Sequence, residues 1–310
     1  MPARTASALA HDDPDTPEEP PRGPMGYEPR LASANTDLSF ARRAGLHTAP
    51  NPLRLTASVA VAIDAQSREV LYARNEHAIL PIASLTKLLT GMVLIDSQVP
   101  MTERIRIDAA DIDTLRHSRS RLRVGTTLTR SQALRLALMS SENRAAHALA
   151  RTFPGGMDAF VATMNRKAAQ LGMRDSRFVD PTGLSNGNRA TGRDVATLVL
   201  AASAYPLLGA YSTTRQHVAA LGGQRLQYVN SNRLVRHAGW PIALQKTGYI
   251  VEAGQCLGML TRAAGRPVAL VLLDAGSLRT RGEDARKLRR WVRRLMPAPS
   301  SPAAASAPGR

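Results

Sequence analysis

Segments with the pattern of β-strands lie at both ends of the region of this chain that is expected to fold. Residues 58–64 alternate small and β-branched side chains and are followed, across a short turn, by 69–73, which predicts a β-hairpin. Residues 242–250, 256–262 and 267–274 are joined by short turns containing glycine, which predicts an antiparallel meander. One sheet built from these segments requires the two ends of the chain to complete it together.

The residues between these strands have helical patterns. Residues 85–95 are apolar on nearly all sides, as in a buried helix, and 157–171 are amphipathic and end at Gly172. Further helices are predicted at 131–139, at 142–151, from Thr191 through 199, and at 283–296. The pattern predicts an α+β fold, with an antiparallel sheet flanked by helices and a mostly helical lobe.

Both termini have the composition of segments outside a folded domain. Residues 1–50 are rich in proline, alanine and acidic residues without sustained periodicity, so we expect a disordered acidic leader. The folded domain is expected at 51–296, followed by a disordered Pro/Ala/Ser tail at 297–310. The leader contains no apolar core of signal-peptide length. The chain has no apolar stretch of about 18 residues, so no transmembrane helix is predicted.

The chain is strongly basic, with 41 Lys and Arg against 24 Asp and Glu and a formal net charge of +17. Such an excess is typical of proteins that associate with nucleic acid, lipid head groups or an acidic polymer. A composition that favours arginine is the simpler explanation, because lysine occurs only at Lys87, Lys167, Lys246 and Lys287. Aromatic residues are few, which argues against a surface that stacks bases. We predict no specific nucleic-acid partner, while electrostatic association with an anionic surface stays open.

Several classes of site are excluded or weakly supported. The single cysteine, Cys256, excludes an internal disulfide framework and a cysteine-built metal site. The seven histidines show no ligand spacing, and the P-loop, G-x-S-x-G and H-E-x-x-H motifs do not occur. No metal or cofactor is therefore predicted, and a Ser-His-Asp hydrolase has little support.

Three short motifs occur in one order: S-x-x-K from Ser84 to Lys87, S-x-N from Ser141 to Asn143, and K-T-G beginning at Lys246. S-x-N alone carries no weight because it also occurs in the leader, whereas chance predicts only about 0.02 K-T-G motifs in such a chain. Two of the four lysines lie inside these motifs. Arginine could not replace a lysine that must lose its proton near neutral pH.

The first motif has the spacing that nucleophilic catalysis requires. A serine hydroxyl becomes a good nucleophile when a base removes its proton. Positions i and i+3 share one face of a helix, so Lys87 is expected beside Ser84. Lys87 can be that base if burial and the nearby charge of Lys246 lower its pKa. At a helix start, Ser84 would also have a free backbone N–H and the positive end of the helix dipole.

The other two motifs suit proton relay and substrate binding. In an extended or looped segment, Ser141 and Asn143 face the same way, so that Ser141 can relay a proton and Asn143 can hold an amide. Lys246 and Thr247 open a predicted strand and suit a substrate carboxylate, and Gly248 lets a peptide approach the strand edge. Each motif also has a purely structural explanation: a helix cap, a joint between helices, or an exposed strand lysine.

The three motifs, with the segments ASLTKLLTGMVLIDSQ, LMSSENRAAHALA, FVDPTGLS, LQYVNSNRLVR and QKTGYIVEAGQCL, resemble those of the low-molecular-mass penicillin-binding proteins. The resemblance covers about residues 54–296 and is closest to the small murein DD-endopeptidase branch of the D-alanyl-D-alanine peptidases. It implies the serine β-lactamase/DD-peptidase (transpeptidase-like) fold. Glu142 stands where S-D-N has aspartate, and no E-x-x-L-N occurs, so the β-lactamase pattern is not matched.

The resemblance also implies an activity and a place. The expected reaction is hydrolysis of D-Ala-containing peptide crosslinks in peptidoglycan, in the periplasm, through an acyl-enzyme on Ser84 that β-lactams also form. Lys87 would accept the proton of Ser84, and Ser141 would assist its transfer to the leaving amine. The backbone N–H groups of Ser84 and Tyr249 would form the oxyanion hole. The residues implied to bind substrate are Asn143, Lys246, Thr247, Gly248 and, on a looser alignment, Arg281.

Three alternatives stay open at this point. One is a DD-carboxypeptidase acting on D-Ala-D-Ala stem peptides, and another is a β-lactamase or esterase of the same fold. The third is a basic murein- or nucleic-acid-binding protein without activity. The intact set of three motifs argues against the last, because a binding protein has no need of S-x-x-K.

Overall fold

The two ends of the folded region meet in one five-stranded antiparallel sheet. The computed structural model describes residues 38–221 and 223–295. In spatial order the strands are β2 (Val70–Arg74), β1 (Val59–Asp64), β11 (Arg266–Ala275), β10 (Gly254–Ala263) and β9 (Ile242–Ile250). β1 pairs directly with β11. The predicted sheet, completed by both chain ends, is therefore confirmed.

The remaining elements lie between or beside these strands. Three short antiparallel pairs are β3 (Leu80–Pro81) with β6 (Arg189–Ala190), β4 (Arg104–Arg106) with β5 (Thr127–Thr129), and β7 (Gln216–Leu221) with β8 (Gln224–Val229). The helices are α1 (Phe40–Arg43), α2 (Thr86–Asp96), α3 (Arg130–Met139), α4 (Asn143–Arg151), α5 (Gly156–Gln170), α6 (Gly192–Ala202), α7 (Pro206–Ser212) and α8 (Leu278–Leu295). Short 3₁₀ helices occur at Leu46–Thr48, Ala83–Leu85, Ala109–Asp111 and Arg233–Arg236.

Each face of the sheet buries its own apolar layer, because successive side chains of a strand point to opposite faces. On one face, Val59 and Val61 belong to the larger core, which also contains the buried side chains of α2 to α7. On the other face, Ala60 and Ala62 pack in a second core with Leu288 of α8. The α+β architecture with a mostly helical lobe agrees with the prediction from the sequence.

The last helix begins earlier than its pattern suggested. The sequence analysis starts it at 283, whereas α8 starts at Leu278. The Ser277 hydroxyl accepts a hydrogen bond from the Thr280 N–H (3.1 Å) and so supports the first turn. Gly282 then lies inside the helix, where glycine weakens the sequence signal. The five-residue difference places Arg281 on the first turn of α8.

Residues 38–50, which the sequence analysis assigned to the leader, pack on the domain. Ala41 in α1 is 1% exposed, and the Phe40 N–H donates to the Glu252 carbonyl (2.9 Å). The Arg74 guanidinium donates to the carbonyls of His47 (2.9 Å) and Ala49 (3.2 Å). The boundary at residue 50 is therefore corrected for this stretch, which is attached both by the buried Ala41 side chain and by carbonyls that accept from Arg74. Most of the predicted leader, and the predicted tail, lie outside the described residues.

No single helix among residues 38–221 and 223–295 is long and apolar enough to cross a membrane. Together α6 and α7 reach the required length and hydropathy, but they are bent by 107° relative to each other.

Candidate active site

Ser84 lies where the chain enters its most buried helix. It is the central residue of the 3₁₀ helix Ala83–Leu85, which leads directly into α2. The residue is 8% exposed, and its N–H donates to no other residue that the structure describes. A helix start leaves its first N–H groups unpaired within the helix and carries the positive end of the helix dipole. The predicted placement of Ser84 at a helix start, with a free N–H, is what the structure has.

Two glycines bring other segments against the backbone of this residue. A Cβ on Gly183 would lie 2.0 Å from the Ala83 carbonyl oxygen, and a Cβ on Gly248 would lie 2.9 Å from the Ser84 nitrogen. Neither distance leaves room for a side chain. The loop containing Gly183 and strand β9 therefore flank Ser84 closely, which brings the K-T-G motif next to this serine.

Lys87 is fully buried one turn into the same helical segment. Its Nζ lies 2.9 Å from the Ser84 Oγ, 2.7 Å from the Asn143 Oδ1 and 2.7 Å from the Thr182 carbonyl oxygen. Burial lowers the pKa of Lys87 to about 7, against the opposing effect of the Asp180, Glu142 and Asp113 carboxylates. Near neutral pH, a large share of this lysine is therefore in the uncharged form.

The loop after α5 holds the Thr182 carbonyl in place, a role that sequence reasoning did not assign. The Asp180 carboxylate accepts hydrogen bonds from the N–H groups of Thr182 (2.6 Å), Gly183 (2.7 Å) and Ser185 (3.0 Å). This is an Asx-type turn extended over several residues. The available signal was the segment DPTGLS, dense in turn-forming residues, but that segment does not by itself point to Lys87.

The second motif lies at the joint between α3 and α4. Ser141 has φ +63°, in the left-handed region, and Asn143 is the first residue of α4. Of the extended and looped geometries expected for this motif, the structure has the looped one. The Asn143 amide accepts from Lys87 and donates to the Ser118 Oγ (3.0 Å). The Ser141 hydroxyl has no hydrogen-bond partner within the described residues.

Glu142 lies on the inner side of this joint. Its carboxylate accepts a hydrogen bond from the Ser120 hydroxyl (2.6 Å), and burial raises its pKa. The residue that replaces aspartate in S-D-N therefore attaches the segment after Asp113 to the motif. This contact could not be read from the sequence.

The third motif lies on β9, a strand at one edge of the sheet. Lys246 is fully buried, and its Nζ donates to the Thr247 carbonyl (2.8 Å). Its pKa is well below the usual value, first because of burial and then because of the charges of Lys87 and Arg281. The Thr247 hydroxyl shares a hydrogen bond with the Ser231 hydroxyl (2.7 Å). The side chain of Tyr249 is 58% exposed.

Arg281 reaches the site from the opposite face of the sheet. Its Nη1 lies 3.1 Å from the Gln255 Oε1 and 3.4 Å from the Cys256 carbonyl oxygen. Burial lowers the pKa of Arg281 to about 10. The positive charge of Arg281 contributes to the lowered pKa of Lys246, so Arg281 belongs to the electrostatic environment of the site. A direct contact between Arg281 and substrate stays a prediction.

One further segment borders the site. The Arg116 guanidinium pairs with the Glu252 carboxylate (2.8 Å) and donates to the Leu184 carbonyl (2.5 Å). The segment thereby joins the helical lobe to the turn after β9. A cavity of about 180 Å³ adjoins it, and Asn143 and Thr182, the two residues that accept from Lys87, are among its lining residues.

The close approach at Gly183 gives a testable consequence. Gly183 has φ +81°, and an alanine there would meet the Ala83 backbone. We expect Gly183→Ala to cost roughly 2–4 kcal/mol of unfolding free energy and to slow acylation of Ser84 by a penicillin. Gly172→Ala is the matched control, because Gly172 has φ +77° with nothing within 4 Å of its Cβ position. That control should cost only about 1 kcal/mol.

The measurements are urea unfolding and the rate of penicillin acylation for both variants. Equal losses of stability in the two variants would mean that backbone strain alone acts at Gly183. The proposed close packing against Ser84 would then be wrong.

Comparison with known proteins agrees with this geometry. Residues 46–277 match the family described as D-alanyl-D-alanine carboxypeptidase. The D-alanyl-D-alanine endopeptidase of Escherichia coli (strain K12) is 41% identical over 275 residues, which are 87% of this chain and 88% of that protein. The D-alanyl-D-alanine endopeptidase of Pseudomonas aeruginosa is 45% identical over 252 residues, which are 81% of this chain and 80% of that protein.

A solved structure supports the fold. The Streptomyces K15 DD-transpeptidase superposes with a TM-score of 0.72 at 24% sequence identity, over 79% of this chain and 98% of that one. The transpeptidase-like fold expected from the resemblance is thereby confirmed.

Proposed function

Because this chain belongs to the D-alanyl-D-alanine carboxypeptidase family of serine peptidases, we propose that it is a penicillin-sensitive D-alanyl-D-alanine endopeptidase. It hydrolyses D-Ala-containing peptide crosslinks of peptidoglycan through an acyl-enzyme on Ser84. The relatives at 41% and 45% identity, which match most of their own length, are named endopeptidases. Since the substrate is part of the cell wall, the proposed compartment is the periplasm.

The observation that carries the proposal is the set of three oxygens around the Lys87 Nζ. Two belong to carbonyl groups, those of Asn143 and Thr182, which can only accept hydrogen bonds. A neutral amine has two hydrogens and one lone pair. When both N–H groups of the amine donate to these two carbonyls, its lone pair remains free to accept the hydroxyl proton of Ser84, whose Oγ is 2.9 Å away. Lys87 is thus arranged as a general base for this serine.

The remaining steps use groups that flank Ser84. Its Oγ attacks the D-Ala carbonyl carbon while Lys87 takes the proton. The N–H groups of Ser84 and Tyr249 stabilise the oxyanion, an interaction whose loss typically costs about 10²–10³ in rate. Ser141 relays that proton from Lys87 to the leaving amine nitrogen as the amide C–N bond breaks, which leaves Lys87 neutral again. Lys87 then takes a proton from a water molecule while the water oxygen attacks the ester carbonyl carbon. The bond from this carbon to the Ser84 Oγ breaks, and Lys87 returns the proton to the Oγ.

Substrate binding is assigned to the edge of β9 and its surroundings. β9 ends the sheet on this side, so within the described residues no neighbouring strand covers its outer edge. An extended peptide can pair there through its backbone, and Gly248 keeps that edge close to Ser84. Lys246 and Thr247, with the field of Arg281, suit a carboxylate, and the Asn143 amide suits a peptide group.

The proposal is tested with two purified substrates, a crosslinked peptide dimer and a monomeric pentapeptide ending in D-Ala-D-Ala. Mass spectrometry of the products identifies the broken bond. We expect cleavage of the dimer at its D-Ala crosslink and inhibition by prior treatment with a penicillin. Release of terminal D-Ala from the pentapeptide alone would make the protein a carboxypeptidase. Cleavage of neither substrate would favour the reading as a binding protein.

A further inference from the structure

The segment between Asp113 and β5 has two different sides. Ser118, Ser120 and Leu122 turn inward: Ser118 accepts from the Asn143 amide, Ser120 donates to Glu142, and Leu122 is fully buried. The residues that alternate with them, Arg119, Arg121 and Arg123, are exposed. Alternation of this kind puts successive side chains of an extended chain on opposite sides. We call these three exposed residues the outer arginine row.

The positive charge of the outer arginine row is not neutralised by ion pairs. None of the three arginines forms an ion pair with a carboxylate in residues 38–221 and 223–295. Glu142 contacts the segment only from the inner side, where Ser120 and the Arg121 backbone hold it. Arg121 donates to the Gln227 carbonyl and lies 4.3 Å from the centre of the Tyr228 ring. The row is thus anchored at its middle and open at both ends.

This row borders the catalytic groups. Ser118 precedes it directly and bonds the same Asn143 amide whose oxygen accepts from Lys87. Arg119, the first residue of the outer arginine row, therefore directly follows a serine that is joined to the proposed base through the Asn143 side chain. A ligand that extends from Ser84 along this side of the site would pass beside the row.

We propose that the outer arginine row binds free carboxylates of the crosslinked peptide, away from the bond that is cut, and so favours acidic over amidated substrates. The inference rests on the proposed function, because the stem peptides joined by a D-Ala crosslink carry free carboxylates. Arginine suits this task because its planar guanidinium pairs with a carboxylate through two parallel hydrogen bonds.

The test uses a variant in which Arg119→Gln, Arg121→Gln and Arg123→Gln are combined. Its matched control combines Arg286→Gln, Arg290→Gln and Arg293→Gln, which remove the same charge from the exposed side of α8. A second variant, Arg119→Gln with Arg123→Gln, keeps the Arg121 contacts in case the first does not fold. The substrates are a crosslinked peptide with free carboxylates and the same peptide with those carboxylates converted to amides. Penicillin acylation is measured in parallel.

We expect the row variant to raise KM for the acidic peptide about five- to tenfold, because each exposed charge pair contributes modestly. KM for the amidated peptide, the penicillin rate and the α8 control should stay within roughly twofold of the parent. Added salt should reduce the difference between the two peptides.

Three results would overturn the assignment of the row. An equal change in KM on both peptides would show a structural effect, and an equal change in the α8 control would show an effect of net charge. Weaker binding of a DNA duplex with unchanged KM would assign the row to nucleic acid. If the parent cleaves neither peptide, the proposed function itself fails. If the parent cleaves both peptides equally well, the proposed function stands but the preference for acidic substrates is wrong.

Discussion

Incubation with a penicillin should add one acyl group to the protein, and the Ser84→Ala variant should add none. The Ser84 hydroxyl, on the 3₁₀ helix that leads into α2, lies 2.9 Å from the Lys87 amine. Removing the Oγ removes the atom that forms the ester, so we expect acylation to fall by roughly 10⁴-fold or more. Intact-mass spectra before and after incubation measure the adduct, and digestion locates it.

Ser97→Ala is a matched control for this experiment. Ser97 follows the last turn of α2, where its hydroxyl donates to the Leu94 carbonyl (2.7 Å). This variant loses a hydroxyl from the same region without touching the site, so it should acylate like the parent. An adduct in Ser84→Ala, or an adduct on a peptide that lacks Ser84, would contradict the assignment of the nucleophile.

Lys87→Arg should reduce acylation by at least about 10²-fold although the positive charge is retained. Arginine does not lose its proton near neutral pH, so it cannot accept the proton of Ser84. In the parent, burial lowers the pKa of Lys87 to about 7. The neutral amine becomes the major form above that pH, so the acylation rate should rise with pH through about 7. Below it, the rate should fall roughly tenfold for each pH unit.

The control for this variant is Lys167→Arg. Lys167 pairs with Asp96 (2.7 Å), which raises its pKa, so it is charged at neutral pH and arginine can replace it. Stopped-flow acylation between pH 5 and 9 distinguishes the variants. A parent rate that does not change across this range, or Lys87→Arg acylating near the parent rate, would show that another group is the base.

The parts of this structure that could be predicted are those determined by short stretches of sequence. The helical spacing of Ser84 and Lys87 places both on one face of the first turn, and the observed contact confirms that geometry. The alternation in β1 likewise identifies a strand, which pairs with β11. The short turns between β9, β10 and β11 identify three strands that pair in sequence order. In both cases a local period carries the information.

What could not be predicted depends on contacts between distant residues. The Thr182 carbonyl reaches Lys87 across 95 positions of sequence, and Ser118 reaches Asn143 across 25. Residues 38–50 attach through the buried Ala41 and through backbone carbonyls that accept from Arg74, and so few apolar residues form no recognisable pattern. Ser141 takes a left-handed backbone conformation that serine rarely adopts, so the sequence left open whether this joint is extended or looped.

The pairing of β1 with β11 has a consequence for the order in which the protein folds. Val59 lies opposite Leu273, so the centre of the sheet cannot close until nearly the whole chain is available. The Asp284 carboxylate of α8 accepts hydrogen bonds from the N–H groups of Thr56 (2.8 Å) and Ala57 (2.9 Å). The segment before β1 therefore also needs the last helix before its contacts are complete. Contacts of such long sequence separation slow folding, because the intervening chain must close a large loop first.

During synthesis, the helical residues after Ser84 therefore emerge while β1 is paired only with β2 and still lacks β11. Lys246 and Arg281 arrive with the last strands and the last helix. Ser84 thus has its full electrostatic surroundings only after the chain has reached α8. An incomplete chain carries Ser84 without Lys246 and Arg281, so assembly of the candidate site depends on completion of the sheet.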